Sequence, residues 1–286
     1  MPAVSQEAVD ALVELLDLEP IEVNLFRGVS PEEDRQRMFG GQVAGQALVA
    51  AARTVDDDKS VHSLHSYFLR PGDPKVPVLY EVDRIRDGKS FTTRRVVAIQ
   101  HGKAIFNLSA SFQVSEEGFE HSAEMPDTPA PDEIPRWDER MAAVAERFPE
   151  VVRPRPIEIR HVDHAPLERT AGLPPYQRVW LRATGRLPDD PVLHTIVLTY
   201  ASDMTLLDTS LLPHGSGWFQ GGLFMASLDH AVWFHRPFRA DDWLLYVQDS
   251  PSASGGRGLS RGMVFTEGGA LVASVMQEGV IRKLRK

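Results

Sequence analysis

The sequence contains no cysteine. Disulfide bonds, thiolate metal sites and a cysteine nucleophile are therefore excluded. No apolar run approaches the roughly 20 residues that a helix needs to cross a bilayer, and no basic segment followed by an apolar one opens the chain. We therefore expect a cytoplasmic protein without stable membrane insertion.

Long basic runs are also missing, and the net charge is -9. Nucleic acid is therefore not expected as the main partner, because phosphate binding depends on clustered Lys and Arg. The remaining composition, 42% hydrophobic and 25% charged, is typical of a soluble globular protein. A length of 286 residues allows one large domain or two ordinary ones.

The stretch 194–208 contains a carboxylate in an unusual place. Ile196, Tyr200 and Leu207 recur at helical spacing and predict one apolar helix face. Asp203 lies inside that stripe, and a carboxylate that faces a core is costly unless it is paired or hydrogen-bonded. Two interpretations remain open from spacing alone: a functional carboxylate, or one that is solvated at the edge of the stripe.

Periodicity and turn residues predict an α+β fold in which helices precede meanders of antiparallel strands. Two further helices are predicted, over 6–18 and Phe39–Arg53, the second opened by two glycines and buried centrally. Strands are predicted at Ile21–Phe26, His62–Leu69, Val76–Arg86, Phe91–Gln100, Ala104–Val114, Pro156–Val162, Gln177–Thr184, Phe224–Phe234, Asp242–Asp249, Gly258–Phe265 and Leu271–Ile281.

A proline-rich acidic connector over 116–155, with a short helix at Arg140–Arg147, separates two similar units at 1–115 and 156–286. Placing His65 on His230 aligns the first strands of the two sheets at an offset of 165 residues. From Pro71 on Pro237 an offset of 166 continues to the end of both sheets. The repeat predicts duplication and a pseudo-dimer with a continuous sheet, with the helices packed between the sheets and related sites at the seam.

In this register Ser227 falls opposite His62 and Gln277 opposite Ser111, and a separate match of Ala44-Gly-Gln46 to Ala201-Ser-Asp203 puts Gln46 opposite Asp203. Only the set in the second unit, Asp203, Ser227 and Gln277, has a carboxylate, so we expect the working site there. The equivalent positions of His65 and His230 favour a packing role for both.

Four longer segments resemble those of the TesB-type acyl-CoA thioesterase II family over about residues 8–283. They are Gly-Gly-Gln-Val-Ala-Gly-Gln-Ala, His-Ser-Tyr-Phe-Leu-Arg-Pro-Gly-Asp, Ser-Leu-Asp-His-Ala-Val-Trp-Phe-His-Arg-Pro-Phe and Leu-Val-Ala-Ser-Val-Met-Gln-Glu-Gly-Val-Ile-Arg. The resemblance implies a double hotdog, two long helices each wrapped by an antiparallel sheet. It also implies a catalytic set of Asp203, Ser227 and Gln277, with Ser227 where many relatives carry Thr.

The implied reaction is hydrolysis of an acyl-CoA to fatty acid and coenzyme A, with no cofactor and no metal, in a homo-oligomer of double-hotdog subunits. A carboxylate can take a proton from the attacking water, and backbone N–H groups at a helix start can hold the oxyanion, for which Gly40 and Gly41 are candidates. Arg70, Arg257 and Arg261 are candidates for the coenzyme A phosphates or ordinary surface residues. The alternatives are a hotdog enoyl-CoA hydratase and a non-catalytic acyl-CoA-binding module.

Overall fold

The structure is a computed structural model that describes residues 5–31, 36–146, 153–215 and 222–284. Within these ranges no helix is both long and apolar enough to span a membrane. The α-helices are α1 (Gln6–Leu16), α2 (Gly40–Ala52), α3 (Trp137–Met141) and α4 (Pro191–Ser202). Short 3₁₀ helices lie at Pro131–Glu133, Ala142–Val144, Pro166–Glu168 and Leu207–Leu211. The helix predicted at Arg140–Arg147 is therefore only the end of α3 and one 3₁₀ turn, and Arg147 lies outside the described residues.

All the strands of the described chain pair antiparallel in one sheet. The first half contributes β1 (Glu19–Glu22), β2 (Leu25–Gly28), β3 (Lys59–Phe68), β4 (Val78–Asp87), β5 (Phe91–Gln100) and β6 (Lys103–Val114). The second contributes β7 (Ile157–His161), β8 (Tyr176–Ala183), β9 (Leu223–Ser227), β10 (Asp229–Phe234), β11 (Leu244–Ser254), β12 (Arg257–Thr266) and β13 (Leu271–Lys283). The spatial order is β1-β2-β4-β5-β6-β3-β10-β13-β12-β11-β8-β7, with β9 on β13.

Two predicted strands are each divided in the structure. The run Ile21–Phe26 becomes β1 and β2, because Asn24 adopts a positive φ of 63° and turns the chain. The run Phe224–Phe234 becomes β9 and β10, because Leu228 is an extra residue between them. The other predicted strands are confirmed, with ends that differ by a few residues.

The core lies between the inner face of the sheet and the helices α2 and α4. Every residue of α2 from Gly41 to Ala51 is buried, as predicted. Its small residues allow close packing, since a Cβ on Gly45 would lie 2.8 Å from the Leu16 side chain and 3.7 Å from that of Ile196. A helix wrapped by an antiparallel sheet therefore occurs twice, with one continuous sheet, which is the double hotdog that the resemblance implies.

Strand pairing fixes the internal repeat and corrects its register. Each half has two β-bulges, each with one extra residue: His62 and Ile105 in the first half, Leu228 and Val272 in the second. Leu228 lies 166 positions after His62, and Val272 lies 167 positions after Ile105. The offset is thus 166 already in β3 and 167 in β6, not 165 and 166. His65 lies opposite Ala231, its true counterpart, so the pseudo-two-fold axis passes between them.

The correction changes which residues are equivalent at the seam. Ser227 corresponds to Val61 and Gln277 to Ala110, instead of His62 and Ser111. Both counterparts are buried and apolar. The first half therefore offers no hydroxyl or amide at these two positions.

The connector is packed against the second half of the sheet. The indole N–H of Trp180 donates to Pro129 O at 2.9 Å, and Arg160 donates to Pro131 O at 2.7 Å. Ile134 joins a separate apolar cluster with Trp180 and Trp243 on the outer face. The connector thus covers the sheet, and the domain boundaries 1–115, 116–155 and 156–286 stay a prediction.

Candidate active site

Asp203 stands where α4 ends. The helix begins with Pro191 after an Asp190 side chain that accepts from the N–H of Val192. It ends at Ser202, whose carbonyl accepts from the Tyr246 hydroxyl at 3.3 Å. The prediction of one helical stripe continuing to Leu207 is therefore wrong: Asp203 is the C-cap residue, and the chain turns after it.

The structure brings together the three residues Asp203, Ser227 and Gln277. Gln277 Nε2 lies 2.5 Å from Asp203 Oδ1 and 2.9 Å from Ser227 Oγ. Ser227 Oγ donates to the same Oδ1 at 3.2 Å. The strand register explains this meeting, because Ser227 lies opposite Gly279 and Gln277 is the next residue of β13 on that face.

The start of α2 supplies a further contact to the carboxylate. The backbone N–H of Gly41 donates to Asp203, and a Cβ on Gly40 would lie 2.6 Å from Asp203 Oδ2. The Phe39 ring packs edge-on against Tyr200 at 5.1 Å and holds the two helix ends together. Gly41, predicted as an oxyanion donor, therefore has its N–H directed at Asp203, whereas Gly40 lines the adjoining cavity.

Burial raises the pKa of Asp203 to about 6, and the hydrogen bonds from Gln277, Ser227 and Gly41 act in the opposite direction. The carboxylate is therefore largely ionised at neutral pH but holds its charge at some cost. A group of this kind can accept a proton near physiological pH.

A cavity of about 430 Å³ opens next to Asp203 between the two halves. Its walls are mainly apolar, and two arginines, Arg37 and Arg70, lie at its border. The apolar lining includes Phe39, Val43, Phe68, Ile105, Phe106, Met204, Leu207, Phe224 and Met225. This space suits a ligand with an apolar part and an anionic part.

The sequence did not single out Arg37, which donates to Met225 O at 2.6 Å and stands over the Phe224 ring. No periodic pattern marks it, and only its place shortly before α2 is a hint. Arg257 and Arg261 instead form ion pairs with Glu278 and Asp249. Of the three arginines suggested by the sequence, only Arg70 lines this cavity.

The two histidines that were aligned as equivalents differ in environment. His65 is exposed and packs edge-on against Trp233. His230 is fully buried and lies 2.8 Å from Ser202 Oγ, and burial lowers its pKa to about 4. At the corrected offset the counterpart of His65 is Ala231, the residue after His230, and successive residues of a strand face opposite sides of the sheet. A shared packing role for the two histidines is therefore not supported.

Three first-half residues were predicted as the counterparts of Asp203, Ser227 and Gln277, and two of them are hydrogen-bonded to each other. His62 Nε2 lies 2.8 Å from Ser111 Oγ. Gln46 instead donates to Leu15 O and Val29 O and accepts from the Tyr80 hydroxyl. Across the described ranges, no group of three or more His, Asp or Glu side chains is placed to hold a metal ion.

Comparisons with known proteins agree along the chain. The family described as acyl-CoA thioesterase matches residues 156–280, and the acyl-CoA thioesterase N-terminal domain matches residues 30–113. Acyl-coenzyme A thioesterase 8 of Homo sapiens is 44% identical, covering 94% of this chain and 88% of its own. Acyl-CoA thioesterase 2 of Haemophilus influenzae is 40% identical, covering 95% and 96%.

Among solved structures, the acyl-CoA thioesterase II TesB2 from Mycobacterium marinum superimposes with a TM-score of 0.80 at 48% identity, covering 95% of this chain and 98% of that one. The matches to both halves and the agreement in fold leave one conclusion. The chain belongs to the acyl-CoA thioesterase family, a family of hydrolases.

Proposed function

We propose that this acyl-CoA thioesterase hydrolyses its substrate to fatty acid and coenzyme A with Asp203 as general base. The observation that supports this most is the convergence of Gln277, Ser227 and Gly41 on one carboxylate at the wall of the cavity. Asp203 takes a proton from a water as the water attacks the thioester carbonyl carbon. The tetrahedral intermediate then collapses, the C–S bond breaks, and the thiolate of coenzyme A takes the proton from Asp203, which regenerates the base.

Gln277 and Ser227 fix the carboxylate and the water. Both donate to Oδ1 of Asp203, so Oδ2, which neither of them engages, is the proposed partner of the water. The Oε1 atom of Gln277 is buried and has no hydrogen-bond partner among the described residues. Because Gln277 is not among the residues that line the cavity, we propose that it acts on the water through Asp203.

Gly40 is our proposed oxyanion donor. The first N–H groups of a helix have no partner within the helix and carry a partial positive charge. Gly41 uses its N–H on Asp203, and Gly40 precedes it at the cavity. The lack of a side chain at Gly40 lets the thioester oxygen approach the backbone, since a Cβ there would lie 2.9 Å from the Phe68 ring.

We propose that Arg37 and Arg70 meet the phosphates of coenzyme A. Both lie at the border of the cavity, and both already anchor one guanidinium nitrogen on a backbone carbonyl, of Met225 and Ala104 respectively. Guanidinium groups that are oriented in this way retain further donors for phosphate oxygens. The acyl chain then occupies the apolar side of the cavity.

The substitution Asp203→Asn tests this mechanism. It keeps the shape of the side chain but removes the base, so the release of free thiol from an acyl-CoA should fall by about 10²–10⁴-fold in kcat. The matched control is Asp249→Asn, an exposed carboxylate of the same half that pairs with Arg261. Both variants should fold, as thermal melts would report. Unchanged turnover in Asp203→Asn would exclude Asp203 as the base.

A homo-oligomer is also proposed. The outer face of the sheet leaves large apolar side chains exposed near its centre, among them Tyr67, Met263 and Met276. An uncovered apolar sheet face of this kind supports contact with another subunit. Sedimentation velocity would give the number of subunits. The cytoplasmic location stays a prediction from the composition.

A further inference from the structure

A second cavity, of about 530 Å³, lies at the other end of the seam. It is bordered by the start of α4, the start of β3 and the segment after β10. Its lining includes Val61, His62, Val192, His194, Thr195, Phe234, His235, Arg236, Pro237 and Phe238, and the carboxylates Glu116 and Asp189 lie at its border. None of the three residues at the proposed hydrolytic centre, Asp203, Ser227 and Gln277, belongs to it.

This cavity is the pseudo-symmetric counterpart of the first. At the offset of 166, the wall segment 68–72 of the first cavity corresponds to 234–238, and both segments line their cavities. The arginines in these segments also make the same contact. Arg70 donates to the carbonyl of Ala104, and Arg236 donates to that of Leu271, its equivalent at the offset of 167. Arg236 also lies 3.8 Å from the exposed carboxylate of Glu120, a contact that a phosphate would replace. One wall segment and one of the two arginines of the first cavity are thus duplicated.

The chemistry is not duplicated. Val61 stands at the position equivalent to Ser227, and Ala110 at that of Gln277. Neither side chain can orient a carboxylate or a water. A ligand in the second cavity would therefore be held but not hydrolysed.

A buried histidine gives the second cavity a polar atom of its own. His194 is 3% exposed, and its Nδ1 accepts from the N–H of Ala240 at 3.0 Å. The proton must then be on Nε2, which has no partner among the described residues. A buried donor without an acceptor is costly, and a carbonyl or phosphate oxygen of a ligand would satisfy it.

We propose that the second cavity binds an acyl-CoA without turnover. The acyl chain lies against Val192, Phe234 and Phe238, and Arg236 meets the phosphates. The proposal rests on the proposed function, because the ligand class is taken from the cavity that contains Asp203. It adds a second binding site to each chain.

The number of ligands bound by each chain tests this proposal. Equilibrium dialysis of the full chain with a non-hydrolysable thioether analogue of an acyl-CoA should give two equivalents bound. In Arg236→Glu the number should fall to one, while kcat/KM for acyl-CoA hydrolysis stays unchanged. Thr195→Trp, which fills the second cavity from α4, should give the same result and serves as an independent variant if Arg236→Glu does not fold.

The matched control is Arg70→Glu, which alters the equivalent arginine of the first cavity. It should also bind one equivalent, but with loss of hydrolysis. A single equivalent in the unaltered chain, or two that persist in both Arg236→Glu and Thr195→Trp, would overturn the second site. Binding of free fatty acid alone at that site, insensitive to Arg236→Glu, would overturn acyl-CoA as its ligand. Absence of thiol release by the unaltered chain would instead count against the proposed function.

Discussion

The N–H of Gly41, in the first half of the chain, donates to the carboxylate of Asp203 in the second. The contact exists because the start of α2 meets the end of α4, where a Cβ on Gly40 would lie 2.6 Å from Asp203 Oδ2. The positive end of one helix thus stabilises a carboxylate at the negative end of the other. The first half supplies the N–H donor and the second half the carboxylate, so neither half alone would form the site. The site therefore requires both copies of the duplicated fold.

The first prediction concerns pH. Because burial raises the pKa of Asp203 to about 6, kcat/KM should decline as the pH falls below that value and the base becomes protonated. Gln277→Leu removes a hydrogen bond that favours the ionised form, so its midpoint should move to higher pH. Ser227→Ala, which removes a longer bond of 3.2 Å, should shift it less. If the dependence of kcat/KM on pH were the same in Gln277→Leu as in the unaltered chain, the hydrogen bond from Gln277 would not stabilise the ionised Asp203.

The second prediction concerns the hydroxyl of Ser227. Ser227→Thr keeps the hydroxyl and should retain activity, whereas Ser227→Ala should lower kcat by about 10–100-fold, somewhat less than the loss of a full oxyanion-hole donor. The matched control is Ser250→Ala, which removes a buried hydroxyl bonded to Leu259 O outside the site. Steady-state kinetics on one acyl-CoA would compare the three variants. Equal losses in Ser227→Ala and Ser250→Ala would point to general destabilisation.

Much of the fold follows from the sequence, because strand alternation and turn residues are local signals. The duplication is visible for the same reason: Tyr80 and Tyr246 occupy equivalent places in β4 and β11. The register fails where bulges and loop lengths intervene. The hairpin after β12 is one residue longer than that after β5, so Ala104 corresponds to Leu271, and the identity with Ala270 is misleading.

The site could be predicted only in part. Asp203 was singled out by its place in an apolar stripe, the repeat set Ser227 and Gln277 beside it, and the resemblance implied that the three act together. The structure brings them into contact. The end of α4 was missed because the 3₁₀ helix Leu207–Leu211 is also buried and continues the apolar pattern. The partner of the Gly41 N–H depends on how two helix ends meet, which no local pattern encodes.

The third prediction concerns the stability cost of the base. Asp203 has a pKa of about 6 in the folded chain and about 3.9 unfolded, so the folded state binds the proton more tightly. Its ionisation therefore destabilises the fold as the pH rises from about 4 through 6. Asp203→Asn removes this cost and should be more stable by about 1–3 kcal/mol at pH 7. Urea unfolding at pH 7 and pH 4 would measure it, and the gain should vanish at pH 4.

The fourth prediction concerns acid. Burial lowers the pKa of His230 to about 4 and that of His161 to about 3, against about 6.5 unfolded. Both are neutral in the folded chain, whereas the unfolded chain protonates them below about pH 6.5. Their contribution to the free energy of unfolding is therefore complete above pH 6.5 and declines as the pH falls towards 4 and 3. Thermal melts should show this decline. His161→Gln should make the fall in melting temperature with pH less steep, whereas substituting the exposed His65 by Gln should leave it unchanged. If the two variants gave the same pH dependence, His161 would not be a cause of the decline.

The fifth prediction concerns a buried ion pair beside the cavity. Arg169 donates to Asp208 at 2.9 Å, and their side chains are 0% and 8% exposed. Asp208 belongs to the 3₁₀ helix Leu207–Leu211, which follows Asp203 and forms part of the cavity wall. The pair therefore holds that wall. Arg169→Met leaves the carboxylate buried and unpaired, so urea unfolding should show a loss of about 3–5 kcal/mol.

The exposed pair Arg95–Asp83, at a similar distance of 3.0 Å, is the matched control. Arg95→Met should cost no more than about 1 kcal/mol, because water already solvates both charges. Combining Arg169→Met with Asp208→Asn should recover part of the loss, since the charge that lacked a partner is gone. If Arg169→Met cost no more than Arg95→Met, the ion pair would not be what holds the 3₁₀ helix in place. The wall behind Asp203 would then depend on the apolar packing of Leu207 and Leu211 and on the hydrogen bonds of Thr209 with Gln177 and Gln248.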